Sequence, residues 1–301
     1  MPAPGPVVVH FPHPGREHNP GRSSRQPWNT SSEHRRKFLR NPGSYVADDG
    51  TLAEAELAFW GEWEAPSYPI DGWAPSGDLP CFLQEPVWER PRFNGPRQNT
   101  DPWVFGHCFR YSNCKQLSQR GLRNLAPGSL ILFGSTLGLR SSAGPRFVVD
   151  TVFVVGHERQ QYTPKKPPDT DEAFRICTIE SLASDSAFCG ATAKVCAAAG
   201  SWFTLYSGAT YDAPVNGMYC FAPSRRADQE GCRFMRPTLS LPADYVNPMS
   251  WQSPKGANTP RSAQIIRQIW QAARDQVIKA GCLIGVNFIT PAEDRANADL
   301  G

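Results

Sequence analysis

LRNLAPGSLILFGS at 122–135 and RFVVDTVFVVG at 146–156 are the two stretches whose reading decides the fold. The first is a turn at Pro127-Gly128 running into an apolar strand. The second is a strand-sized apolar run interrupted by Asp150. The loop between them, 136–145, is polar and contains glycine, so the pair reads as neighbouring antiparallel strands of a barrel or sheet.

Downstream, SWFTLYSGATY (201–211) and GMYCFAPS (217–224) read as two more strands, separated by a turn with Asp212, Pro214 and Gly217. RFMRPTLSLP (233–242) is a further extended piece. Thr259 and Pro260 open a helix over 261–280, with an apolar stripe of Ile265, Ile266, Ile269, Ala273 and Val277 and a stop at Gly281. CLIGVNFIT (282–290) is a final strand.

Upstream, VVVHFPHPG (7–15) is a short buried strand ended by Pro12 and Pro14. EHRRKFL (33–39) reads as a short helix capped by Ser31 or Ser32 and stopped by Pro42-Gly43. Thr51-x-x-Glu54 is a capping-box pattern that allows helix, whereas LAFWGEWEAPS (57–67) reads as a strand. The Pro-rich stretch to about 98 reads as irregular surface, and 160–171 as a linker. The expectation is an α+β fold with a PUA-like mixed or antiparallel β-barrel or sheet core, peripheral helices and long Pro-rich loops. The chain reads as a single domain, 1–301, in which 1–98 can form an N-terminal extension on a barrel-like core, 99–301.

Composition narrows the class. No apolar run is long enough to cross a bilayer, and no signal-peptide pattern opens the chain, so the expected location is cytoplasmic. The nine cysteines form no regular frame and read as reduced thiols. Dinucleotide, P-loop, nucleophile-elbow and zinc-protease motifs are absent, so no cofactor and no metal are expected. Net charge is only +3, but arginine outnumbers lysine and there are nine tryptophans. Guanidinium groups clamp phosphates and indoles stack on bases, so a Trp- and Arg-rich surface suits nucleic acid.

Four segments carry candidate chemistry. HFPHPGREH (10–18) brings His10, His13, Glu17 and His18 together for acid–base work or substrate contact, and its prolines exclude a zinc-helix geometry. In FWGEWE (59–64), strand alternation puts Trp60, Glu62 and Glu64 on one face, the two carboxylates roughly 7 Å apart, a separation used in glycosidic cleavage. NTDPWVFGHCFRYSNCKQ (99–116) groups Asn99, Asp101, Trp103, His107, Tyr111, Cys114 and Gln116, types that read base edges, stack on bases or position a carboxylate. A Cys114–His107 nucleophile pair fits here without a local signature. SRR (224–226) and CRFMR (232–236) form a basic patch of Arg225, Arg226, Arg233 and Arg236 with Phe234 between arginines.

The segments 124–135, 147–156 and 217–224 resemble a PUA-like barrel, the superfamily that includes ASCH and EVE domains. The resemblance covers roughly the middle third. The chain also resembles bacterial proteins grouped as nucleotide-modification-associated. Such kinship implies a pocket for an RNA nucleotide or a modified, flipped DNA base. The resulting expectation is a DNA- or RNA-interacting protein that recognises a modified base. The nucleic-acid contacts would be His13, His18, Arg35, Arg36, Trp60, Asn99, Trp103, Tyr111, Gln116, Arg225, Arg226 and Arg233. The alternative is a DNA glycosylase using Glu17, Glu62, Glu64 or Asp101 on the N-glycosidic bond. A structural protein with no nucleic-acid role is the third reading.

Overall fold

A computed structural model of the chain describes residues 5–13, 36–90, 100–139, 141–163, 165–180, 202–250 and 253–294. The hairpin read from the apolar stretches is present. β7 (Leu130–Leu137) pairs antiparallel with β8 (Arg146–Tyr162), after a turn in which Gly128 takes φ 79°. The strand β1 (Val8–Pro12) lies parallel to β7, from Val8 opposite Leu130 to Pro12 opposite Gly134. β9 (Phe203–Gly208) and the short β6 (Arg110–Tyr111) complete a five-stranded sheet in the order β1-β7-β8-β9-β6.

The second sheet has seven strands. Its centre is the hairpin of β2 (Lys37–Val46) and β3 (Leu52–Gly61), paired from Lys37–Gly61 to Val46–Leu52. The hairpin turns at Asp49-Gly50, where Gly50 has φ 79° and the Asp49 carboxylate accepts from the Thr51 N–H and hydroxyl. β4 (Ser67–Gly72), β5 (Phe82–Trp88), β10 (Ala222–Arg226), β11 (Leu283–Phe288) and β12 (Ala292–Glu293) surround it. The pairings β2–β3, β3–β10, β10–β11 and β11–β2 close on themselves. Each sheet takes strands from both sides of residue 98.

The sheets meet where Val152 of β8 and Phe221, just before β10, exchange backbone hydrogen bonds of 2.8 and 2.9 Å. The molecule is a sheet-rich α+β fold. Glu172–Phe174 forms the short α1, continued by a π turn at Arg175–Glu180. The long helix α2 (Ala263–Lys279) is capped by the Ser262 side chain, three residues beyond the expected Thr259, and Trp270 joins its buried stripe. No described helix is long and apolar enough to cross a membrane. The seven described cysteines are free thiols.

Several expected elements differ. The described part of the expected 33–39 helix is the start of β2, which runs through Pro42-Gly43. The Pro42 carbonyl accepts from the Ile289 N–H, so that residue's N side also points toward the β11 edge. The pairing with β5 is at Leu39 and that with β11 begins at Gly43, so the proline, lying between them, breaks no ladder bond. Residues 52–56 are strand rather than capped helix, because the Asp49-Gly50 turn recruits Thr51. The Pro-rich stretch contains β4 and β5, and β8 continues to Tyr162 into the expected linker. The tryptophans Trp60, Trp63, Trp88, Trp103 and Trp270 are buried in the core, not displayed on the surface.

Candidate active site

Five segments converge between the sheets on a buried polar cluster. His13 follows β1 directly. Its N–H donates to the Gly134 carbonyl at 2.7 Å, and its own carbonyl accepts from Arg36 Nη2 at 2.8 Å and from the Ser135 hydroxyl at 3.2 Å. Gly134 lets β7 and β8 approach closely at this point, because a Cβ there would lie 2.0 Å from the Val148 carbonyl.

Arg36 and Glu62 are delivered by the β2–β3 hairpin. Its last pair is Lys37 opposite Gly61, and one further step sets Arg36 beside Glu62, with Nη2 3.5 Å from Oε2. The other Glu62 oxygen contacts His13 Nδ1. Glu64 lies by Lys37 instead, whose ammonium donates to the Ala65 carbonyl at 2.7 Å. Both carboxylates are past the end of β3, so strand alternation does not relate them as the sequence suggested. Burial pushes the Lys37 amine down to about 7, and Glu64 opposes that shift.

Asp150 enters through an irregularity. β7 and β8 shift register between Phe133–Thr151 and Gly134–Val149, leaving Asp150 as the extra residue. Such a bulge re-aims one side chain out of the pleat. Asp150 accepts from Arg36 Nε at 2.7 Å and from Arg236 Nη1 at 2.8 Å. Arg236 also donates to the Ser135 hydroxyl at 2.9 Å and lies over the Trp60 ring. Burial lowers the Arg236 pKa and Asp150 opposes the shift.

The last segment carries Cys114. Its sulfur is 3.7 Å from His13 Nε2, so one imidazole joins the thiol on one side to Glu62 on the other. The Cys114 N–H donates to Asp101 at 2.7 Å, and its carbonyl accepts from the Tyr111 hydroxyl at 2.7 Å. Tyr111 packs on Phe11, two residues before His13, so one aromatic layer supports both the thiol and the imidazole. Burial raises the thiol pKa, while the His13 charge and hydrogen bond lower it. Cys114 is half-buried, whereas His13 is 1% exposed.

This arrangement has the parts of nucleophile catalysis: a thiol, a base within reach and a carboxylate that orients the base. A carboxylate on Nδ1 fixes the tautomer with Nε2 free to take the thiol proton. Among the described residues no group of three His, Cys, Asp or Glu side chains is arranged to hold a metal. A small cavity lined by Arg36, Glu62, Thr100, Phe133, Asp150 and Thr151 has a volume of about 10 Å³, room for about one water molecule.

The remaining sequence candidates divide. His13, Arg36, Glu62 and Asp101 come together, while Glu17, His18, Arg35 and Asn99 lie outside the described residues. Cys114 faces His13 rather than His107, which is exposed. His10 sits apart, edge-on to Phe147, with burial pushing its pKa down to about 4. Trp60, Trp103, Tyr111 and Gln116 are buried. The Trp60 indole donates to the Phe234 carbonyl, and Gln116 braces Thr204 through both ends of its amide. Arg225 and Arg226 line a surface groove of about 480 Å³ that also holds Asp48 and Glu230. Arg225 and Arg233 donate to backbone carbonyls, and Arg226 pairs with Asp228.

Asp150 and Lys37 were not identified as site residues from sequence, and Arg236 was read only as part of the basic patch at 232–236. The available signal was a charged residue inside an apolar run at Asp150. No protein-family model, curated protein or solved structure matches the chain.

Proposed function

We propose that this chain is a thiol-dependent enzyme, a hydrolase or transferase in which Cys114 is the nucleophile, His13 the general base and Glu62 the group that orients His13. The observation that carries this reading is the continuous contact Cys114 Sγ–His13 Nε2 at 3.7 Å and His13 Nδ1–Glu62. The contact is long, as catalytic hydrogen bonds often are without substrate. The thiol proton passes to His13 Nε2 as the sulfur bonds to an electrophilic carbon. His13 then returns that proton to the leaving group. Water or an acceptor attacks the sulfur–carbon bond, again deprotonated by His13, and the thiol is regenerated. Glu62 stabilises the imidazolium formed in each half. Because burial holds the thiol pKa up, proton transfer accompanies attack rather than preceding it.

A second reading keeps the nucleic-acid partner. Glu62 and Asp101 both border this centre, and burial raises the Asp101 carboxyl to about 6. That supports a glycosylase acting on a modified base in DNA or RNA, with a carboxylate stabilising the positive charge that develops on the sugar.

One experiment separates the two. Purified protein and Cys114→Ala are incubated with a panel of activated esters, amides and thioesters, and with DNA and RNA carrying modified bases. A covalent adduct on Cys114 by mass spectrometry, with turnover lost in Cys114→Ala, is expected. Base release that survives Cys114→Ala but not Glu62→Gln overturns the thiol reading in favour of the glycosylase.

A further inference from the structure

Cys114 is held from both sides of its backbone, and one of the two anchors is a carboxylate. Asp101 Oδ1 accepts from the Ser112 N–H at 2.9 Å. Asp101 Oδ2 accepts from the N–H groups of Asn113 and Cys114, both at 2.7 Å. Three consecutive amides therefore converge on one carboxylate, and the third belongs to the nucleophile. The residue after it, Lys115, takes φ 62°, a left-handed conformation that a side-chain-bearing residue keeps only when its surroundings impose it. The carboxylate is itself anchored. The neighbouring Thr100 N–H donates to the Cys177 carbonyl at 2.9 Å, and the Thr178 hydroxyl donates to the Thr100 carbonyl at 2.7 Å.

We propose that Asp101 is the positioning residue of Cys114: its carboxylate fixes the nucleophile's turn, and its ionisation sets how readily the thiol reacts. The inference rests on the thiol reading above and adds to it. An ionised Asp101 accepts all three N–H groups. Protonated, it turns one oxygen into a donor, and that oxygen faces only amide donors, so the turn loosens where it bears the thiol. Three N–H bonds ordinarily depress a carboxylate pKa, yet burial outweighs them here and the group titrates at about 6. The titratable groups facing it are Glu62, the Cys114 thiol, and the hydroxyls of Tyr111 and Tyr162. Of these, Glu62 raises its pKa further. Tyr162 reaches the same turn through the Ser112 hydroxyl, at 2.6 Å.

The test is the rate of Cys114 alkylation by iodoacetamide between pH 5 and 9, resolved by peptide mass spectrometry, with half-buried Cys81 as internal reference. It is run on wild type, His13→Gln, Asp101→Asn and the double variant. The expected result is an inflection near pH 6 that survives in His13→Gln and is lost in Asp101→Asn, where Cys114 slows about tenfold at pH 7 and Cys81 does not. Asp101→Asn with the Cys114 profile of wild type overturns the positioning role while leaving the triad intact. Cys114 indifferent to His13→Gln overturns the triad itself. If Asp101→Asn does not fold, the His13→Gln profile decides: no inflection near pH 6 there sinks the proposal.

Discussion

Glu62 and Glu64 are two residues apart, both nearly inaccessible to water, and each faces a cation brought by the start of β2. Their surroundings differ in one respect. Glu64 interacts electrostatically with Lys37, whose ammonium also donates to the Ala65 carbonyl. Glu62 sits in a chain that runs from Arg236 through Asp150, Arg36 and His13 to a half-buried thiol. A buried ion pair alone is weak evidence for function, since the desolvation cost largely cancels the attraction. What distinguishes Glu62 is a titratable imidazole and a nucleophile in sequence beyond it.

The largest expected contrast is catalytic. Cys114→Ala should lower turnover by about 10⁴-fold or more, the scale set by losing a member of a concerted nucleophile group. Replacing Lys37 and Glu64 together, by Met and Leu, should change turnover by less than about tenfold, because the pair supplies no group to the proposed thiol–imidazole–carboxylate relay. A double variant as inactive as Cys114→Ala breaks the comparison.

Next in size is a stability effect. Asp150→Ala leaves Arg36 and Arg236 buried without their shared carboxylate and should cost about 3–5 kcal/mol in urea unfolding. The Lys37→Met, Glu64→Leu pair should fall within about 2 kcal/mol of wild type, because a matched apolar replacement recovers the desolvation cost.

The pH dependence sharpens the same contrast. Lys37 titrates at about 7 in the fold against 10.5 ordinarily, so its contribution to stability is complete above pH 10.5 and is lost as pH falls through about 7. Asp101 titrates at about 6 against 3.8, so its contribution is complete below pH 3.8 and is lost as pH rises through about 6. Unfolding free energies across pH 4–10 should therefore fall and then rise from these two groups. Lys37→Met, Glu64→Leu should flatten the alkaline limb alone. An unchanged alkaline limb contradicts the account of this pair.

The smallest effect belongs to the surface. Arg226→Gln removes an exposed ion pair with Asp228 and should shift stability by less than about 0.5 kcal/mol. In a gel shift at low salt it should weaken nucleic-acid binding only if the second functional reading holds.

What could be read from the chain followed its periodicities. The apolar runs of β7 and β8 and the Pro127-Gly128 turn gave the central hairpin, and the Ile266, Ile269, Ala273 and Val277 stripe gave α2. The start of β2 was read as helix because Ser31 or Ser32 offered a cap, Glu33 suited a helix start and Pro42-Gly43 a stop. Arg36 and Lys37 are buried there, and the carboxylates that face them come from distant parts of the chain, Glu62 and Asp150 for Arg36 and Glu64 for Lys37. The site was legible as residues and not as a constellation. His13, Glu62, Asp101 and Cys114 each stood out, but 101 residues separate His13 from Cys114, and no local spacing encodes that contact. Asp150 escaped notice as a site residue because its role depends on a register shift between strands.

The central claim is that His13 activates Cys114, and competition between thiols tests it most directly. Wild type and His13→Gln are treated with limiting iodoacetamide at pH 7, and alkylation of Cys114 and Cys81 is quantified in the same digest. The account predicts that Cys114 outpaces Cys81 in wild type and loses about tenfold or more of its rate in His13→Gln, with Cys81 unchanged. Cys114 reacting no faster than Cys81, at a rate that His13→Gln leaves alone, contradicts it.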